Sequence, residues 1–90
     1  FSWLLPAVEG HVDTSATAMI GCALAALPDR ADYEEPLAHI EAGLLLHLRD
    51  GYLNDSLAEC VDFAEHPQRY GVYPWGMGAG LLFFSKRCIM

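Results

Sequence analysis

The sequence predicts an all-α chain of about three helices, and three observations carry that reading. Residues 16–27 are an unbroken run of apolar and small side chains with one hydroxyl, Thr17. Residues 33–49 place apolar side chains at helical spacing along one side only. Residues 75–86 return to an apolar run, opened by three closely spaced glycines. Hydrophobic residues make up 53% of the 90, with a mean hydropathy of +0.21. A chain this short buries only about 60–65% of its unfolded surface. The composition therefore predicts apolar surface left over for a neighbour, either more of the same protein or a self-associating copy.

Residues 1–12 read as a loop or extended lead-in punctuated by Pro6 and Gly10. Asp13-Thr14-Ser15 then offers side-chain oxygens to the free N–H groups of a first helical turn. The helix runs from Ser15 to Leu27, with Ala16, Met19, Ile20, Ala23, Leu24 and Leu27 on one face, and Pro28-Asp29 ends it. The second helix begins between Asp32 and Pro36, since proline fits only a first turn. Leu37, Ile40, Leu44, Leu45 and Leu48 form its stripe, and Asp50-Gly51 stops it after Arg49. Residues 52–74 show no sustained period and read as a long loop with a short helix over 56–63. The third helix spans Trp75 or Gly76 to Lys86, and its glycines predict a close neighbour at that end. All-round apolar helices on either side of a one-sided helix read as inner and outer members of a ring of helical hairpins.

Twelve acidic residues against five basic ones give a net charge of −7. Nucleic-acid binding needs a basic patch, and none is present. Attraction to anionic lipid is disfavoured, and no apolar run reaches the roughly 20 residues of a membrane-spanning helix. Cys22, Cys60 and Cys88 are odd in number and widely spaced, which suits neither a disulfide framework nor a zinc site and leans toward a reduced, cytoplasmic setting. His39 and His47 are eight residues apart on the second helix, too far for one metal ion, and read as part of a solvated face. No cofactor and no metal are expected. The chain starts at Phe1 without a signal-peptide pattern, so it reads as sequence taken from the middle of a longer protein.

Two segments carry a resemblance. Asp13-Thr14-Ser15-Ala16-Thr17-Ala18-Met19, continuing through Ile20-Gly21-Cys22-Ala23-Leu24-Ala25, resembles a signature of the unsaturated glucuronyl and rhamnogalacturonyl hydrolases, glycoside hydrolase families 88 and 105. Tyr73-Pro74-Trp75-Gly76-Met77-Gly78-Ala79-Gly80-Leu81-Leu82 looks like their closing inner helix. The resemblance runs from about Val12 to Lys86. It implies that residues 1–90 are a C-terminal fragment of a single (α/α)6-barrel domain. It also implies hydration of the C4=C5 double bond of an unsaturated uronic acid at the end of an oligosaccharide, by a carboxylic acid side chain and without metal. This differs from ordinary two-carboxylate glycoside hydrolysis. Nothing in the chain aligns with the family's acid–base aspartates, so the chain alone is expected to be inactive.

The candidate substrate contacts are Asp13, Tyr73, Trp75 and His11. Asp13 reads first as a helix cap and second as a group at the mouth of a sugar cleft. Tyr73 and Trp75 offer aromatic faces to a pyranose ring, or pack a loop at a helix start. His11, two residues before Asp13 in the same entry loop, reads first as a surface loop histidine and second as a group that binds a hydroxyl or the uronate carboxylate. Arg69 is a candidate partner for a substrate carboxylate, against an ion pair with Glu65 or Asp62. No cysteine has a visible base partner, and the glycines near Gly76 lack the Lys-Ser/Thr pair of a phosphate loop. The expected partner is an oligosaccharide. The alternatives are another six-hairpin carbohydrate enzyme and a small helical interaction protein without catalysis.

Overall fold

A computed structural model describes residue 1, residues 12–58 and residues 69–88. Helix α1 (Thr14–Ala25) is followed by a 3-10 turn (Arg30–Tyr33) and helix α2 (Glu34–Leu46). Four short strands follow, β1 (Leu48–Arg49), β2 (Tyr52–Leu53), β3 (Ser56–Leu57) and β4 (Tyr70–Gly71), and helix α3 (Pro74–Cys88) closes the order. The strands pair antiparallel as β1–β2 and β3–β4, with Leu48 opposite Leu53 and Ser56 opposite Gly71.

The expectation of an all-α fragment of an (α/α)6 barrel is corrected by these two ladders. Among the described residues helix dominates, but the connection between α2 and α3 contains paired strands. The cause lies at Asp50-Gly51, read from sequence as a helix stop. Both residues take positive φ, 53° and 81°. Two successive left-handed residues make the turn that matches the twist of a two-residue hairpin, and Asp-Gly is among its preferred pairs. Helix α2 therefore ends at Leu46, and Leu48-Arg49 turns back on Tyr52-Leu53. The helix expected from Ser56 is replaced at its start by β3, and its remainder falls outside the described residues.

Helix α1, expected to be buried on most sides, is buried on one side. Thr14, Ser15, Thr17, Ala18, Gly21 and Ala25 face inward, while Met19 and Leu27 are exposed. Small residues allow a neighbouring helix to come close, so packing follows the narrow side chains rather than the large ones. Phe83 of α3 fills the notch at Gly21 and is fully buried. A Cβ at Gly21 would lie 2.6 Å from the Phe83 ring and 3.1 Å from Ile40 of α2. Ser15 lies beside Gly76 at one end and Gly21 beside Phe83 further along, so α1 and α3 run parallel. The core comprises Ala18, Ala25, Leu37, Ile40, Leu44, Leu53 and Phe83. Leu37, Ile40 and Leu44 of the expected α2 stripe are buried; Leu45 is exposed within the helix, and Leu48 is exposed beyond it, since the chain leaves the helix at His47.

Arg87, near the end of α3, clamps that helix to the start of α2. Its guanidinium donates to both carboxylate oxygens of Glu34 at 2.9 and 3.0 Å and to Glu41 at 2.9 Å. This two-pronged geometry is specific to arginine. The Arg87 hydrogen bonds, with its positive charge, hold the Glu34 carboxyl below the usual glutamate range. A carboxyl whose folded pKa is depressed stabilises the fold fully above its unfolded pKa and stops doing so below its folded one. Wild-type stability should therefore fall more than that of Glu34→Gln as pH drops through the glutamate range. Urea midpoints of the two proteins across that range check this. Added salt should shrink the difference, because Glu34 is exposed.

Candidate functional site

The four predicted contact residues separate into three that the structure describes and one, His11, that lies outside the described residues. Asp13 caps α1 from an extended backbone, and its side chain is buried. A single oxygen, Oδ1, accepts from the Ser15 amide at 3.0 Å, the Ser15 hydroxyl at 2.6 Å and the Leu57 amide at 2.9 Å. The first two bonds are helix capping in the ordinary sense. The third reaches strand β3, so the cap also ties the connecting segment to the helix start.

The adjacent hydroxyls extend that tie. Thr14 Oγ1 donates to the Asn54 carbonyl at 2.7 Å, which leaves Ser56 Oγ as donor in the 3.0 Å contact between the two hydroxyls. Thr17 Oγ1 donates back to the Asp13 carbonyl at 2.8 Å. Thr14 and Ser56 are fully buried, and each has its polar atom satisfied.

Helix α3 enters the same cluster through its first turn. Pro74 occupies the first helical position, where its missing N–H costs nothing. Gly76 sits against Ser56 and Ser15 so closely that a Cβ would collide with the Ser56 side chain. Gly80 is constrained less severely, by the tip of Leu53, which would lie 2.8 Å from a Cβ there, whereas Gly78 faces open space. The close neighbour predicted from the three glycines thus exists at two of them, and it is the strand segment together with α1. Trp75 Nε1 donates to the Leu57 carbonyl at 2.9 Å. The Tyr73 and Trp75 rings stack in parallel, with centroids 5.0 Å apart and 3° between their planes. Trp75 remains 42% exposed.

One residue therefore joins the two expected contact regions. The Leu57 amide donates to Asp13, and its carbonyl accepts from Trp75. Sequence reasoning missed Leu57 because its contribution is main-chain and depends on a strand pairing that residues 52–74 do not announce. Ser56 was missed for the same reason. Arg69 is exposed, and its carbonyl accepts from the Ala58 amide at 2.8 Å; Asp62 and Glu65, its expected ion-pair partners, lie outside the described residues. His47 departs from the solvated-face reading, with its ring against Asp55 at 2.6 Å and only 25% exposed.

Comparison with family models, with curated proteins and with solved structures gives no match to this chain. Among the described residues, no group of three or more His, Cys, Asp or Glu side chains is arranged to hold a metal ion. No helix among them is long and apolar enough to cross a membrane.

Proposed function

We propose that the chain forms part of the substrate-binding wall of a glycoside hydrolase acting on oligosaccharides that end in an unsaturated uronic acid. The observation that carries the proposal is the Leu57 bridge. It brings Asp13 and the Tyr73–Trp75 stack, the residues of the two motifs that resemble the unsaturated-uronyl hydrolases, to one place in the fold. The exposed aromatic face of Trp75 suits the C–H face of a pyranose ring. A held Trp75 ring loses little freedom on binding, because Leu57 and Tyr73 already fix it. No residue of the chain matches the family's acid–base aspartates, so binding without hydrolysis is the expected behaviour.

The test is fluorescence titration with an unsaturated glucuronyl disaccharide, using a Trp3→Phe background so that Trp75 is the remaining tryptophan. A saturable change in emission is expected, with Tyr73→Ala weakening binding by about tenfold through loss of the ordered stack. No response from a protein that circular dichroism shows to be folded overturns the proposal. The conjugated double bond absorbs light, so its persistence in the mixture reports the expected lack of hydrolysis.

A second reading, association through apolar surface, rests on a separate observation. Leu46 is 81% exposed and Leu81 72%, with Leu45, Leu82 and Met19 each about half exposed. Sedimentation over a range of concentrations decides this reading. A monomer throughout excludes self-association.

A further inference from the structure

We propose that Met77 is a peroxide-sensitive latch: its thioether sulfur holds the β1–β2 hairpin on α3, and oxidation to the sulfoxide releases the hairpin. The Leu53 amide donates to Met77 Sδ at 3.2 Å. The ladder explains why that amide looks to α3 for a partner. Antiparallel pairs alternate between those that exchange hydrogen bonds and those that do not. The Asn54 amide donates to the His47 carbonyl. The next pair, Leu48 with Leu53, is therefore one that does not exchange bonds, and Leu53 turns its N–H away from β1. Leu53 is buried, with its side chain against Gly80 of α3. A buried amide requires an acceptor inside the protein, and Met77 supplies it.

Met77 is also placed to meet a small oxidant. It is half-buried and lines a pocket of about 150 Å³ with Leu48, Leu53, Leu81 and Phe84. Leu48 and Leu81 are exposed, so the pocket opens to solvent. A hydroperoxide transfers one oxygen. A sulfur lone pair attacks a peroxide oxygen, the O–O bond breaks, and with hydrogen peroxide the second oxygen leaves with both protons as water. Sulfur is oxidised by two electrons and the peroxide is reduced. An oxygen accepting from the Leu53 amide would stand about 2.9 Å from its nitrogen, close to where the sulfur now lies. The sulfur must withdraw to make room, or turn its new oxygen into a pocket whose side chains carry no hydrogen-bond donor. Either movement parts β2 from α3. This device stands whether or not the chain binds sugar.

The test is amide hydrogen exchange of the intact chain before and after treatment with hydrogen peroxide, with oxidation at each methionine read by peptide mass. Conversion of Met77 to the sulfoxide is expected to speed exchange at Leu53 by about tenfold and to leave exchange at Leu44, in α2, unchanged. Met77→Leu keeps the apolar volume and removes the sulfur. Its Leu53 amide should exchange fast from the start and should not respond to peroxide. Four outcomes overturn the proposal. Met77 may resist peroxide while the exposed Met19 is oxidised. Leu53 exchange may stay the same in the oxidised wild-type protein, a result that does not depend on the variant folding. Leu53 and Leu44 may speed up together, which is general loosening. Peroxide may change Leu53 exchange equally in Met77→Leu, which assigns the effect to another residue.

Discussion

Phe83→Ala is expected to destabilise the protein by about 3–5 kcal/mol, the cost of emptying a fully buried aromatic site. A domain of this size has total stability of about 5–15 kcal/mol, so the variant should sit near the edge of folding at room temperature. The effect is large because Phe83 joins all three helices. Its ring lies over Gly21 of α1, beside Ile40 of α2, and meets Phe84 edge-on with centroids 5.6 Å apart. Nothing else in the core is wide enough to fill the notch that Gly21 leaves. Urea unfolding measures the loss. The same geometry predicts strong coupling. Gly21→Ala alone should cost about 1–3 kcal/mol, because its methyl group meets the ring. Combined with Phe83→Leu, which withdraws the ring atoms, it should cost less than the two changes added separately. Additive behaviour would show that Phe83 does not pack on Gly21.

Asp13→Ala carries the second large effect, a loss of about 2–4 kcal/mol. Removing the cap accounts for about 1 kcal/mol. Leaving the Leu57 amide without its acceptor adds about 1–3 kcal/mol. Asp13→Asn keeps an oxygen at the Oδ1 position, with its three incoming bonds, and should stay within about 1 kcal/mol of wild type. The pair of variants separates shape from charge. If Asn destabilises as much as Ala, the negative charge holds the site together. If Asn is stable yet binds the unsaturated disaccharide less tightly, Asp13 has a role toward substrate beyond its cap.

Asp13 as a cap was legible from sequence because capping is local. A short acceptor side chain stands just before a helix-forming run, and the free N–H groups lie two and three residues on. The Pro28-Asp29 stop shortly after α1 is legible for the same reason, whereas Pro74, read as part of the preceding loop, is the first residue of α3. The closeness signalled by Gly76 and Gly80 was legible as a demand for space, but not as a partner. Glycine records that something comes near without recording what. Ser56 and Leu53 occupy those spaces, and both come from a segment without a period to read. The hairpin at Asp50-Gly51 was available as a dipeptide signal, yet it also fits the end of a helix. The choice depends on whether Leu48-Arg49 finds a strand to pair with, and Tyr52-Leu53 provides it.

The sequence by itself determined that there are three helices, the cap that starts the first, the acidic composition and the surplus of apolar residues, since each follows from neighbouring residues or from composition. Tertiary structure decided which side of α1 is inside: its small residues let Phe83 of α3 come close at Gly21, while Met19 stays exposed. Tertiary structure also decided that Asp13 and Trp75 share one residue, that Arg87 reaches Glu34, and that His47 faces Asp55. Those contacts join positions far apart in the chain or across a turn of left-handed residues. Their geometry exists only once the helices have packed.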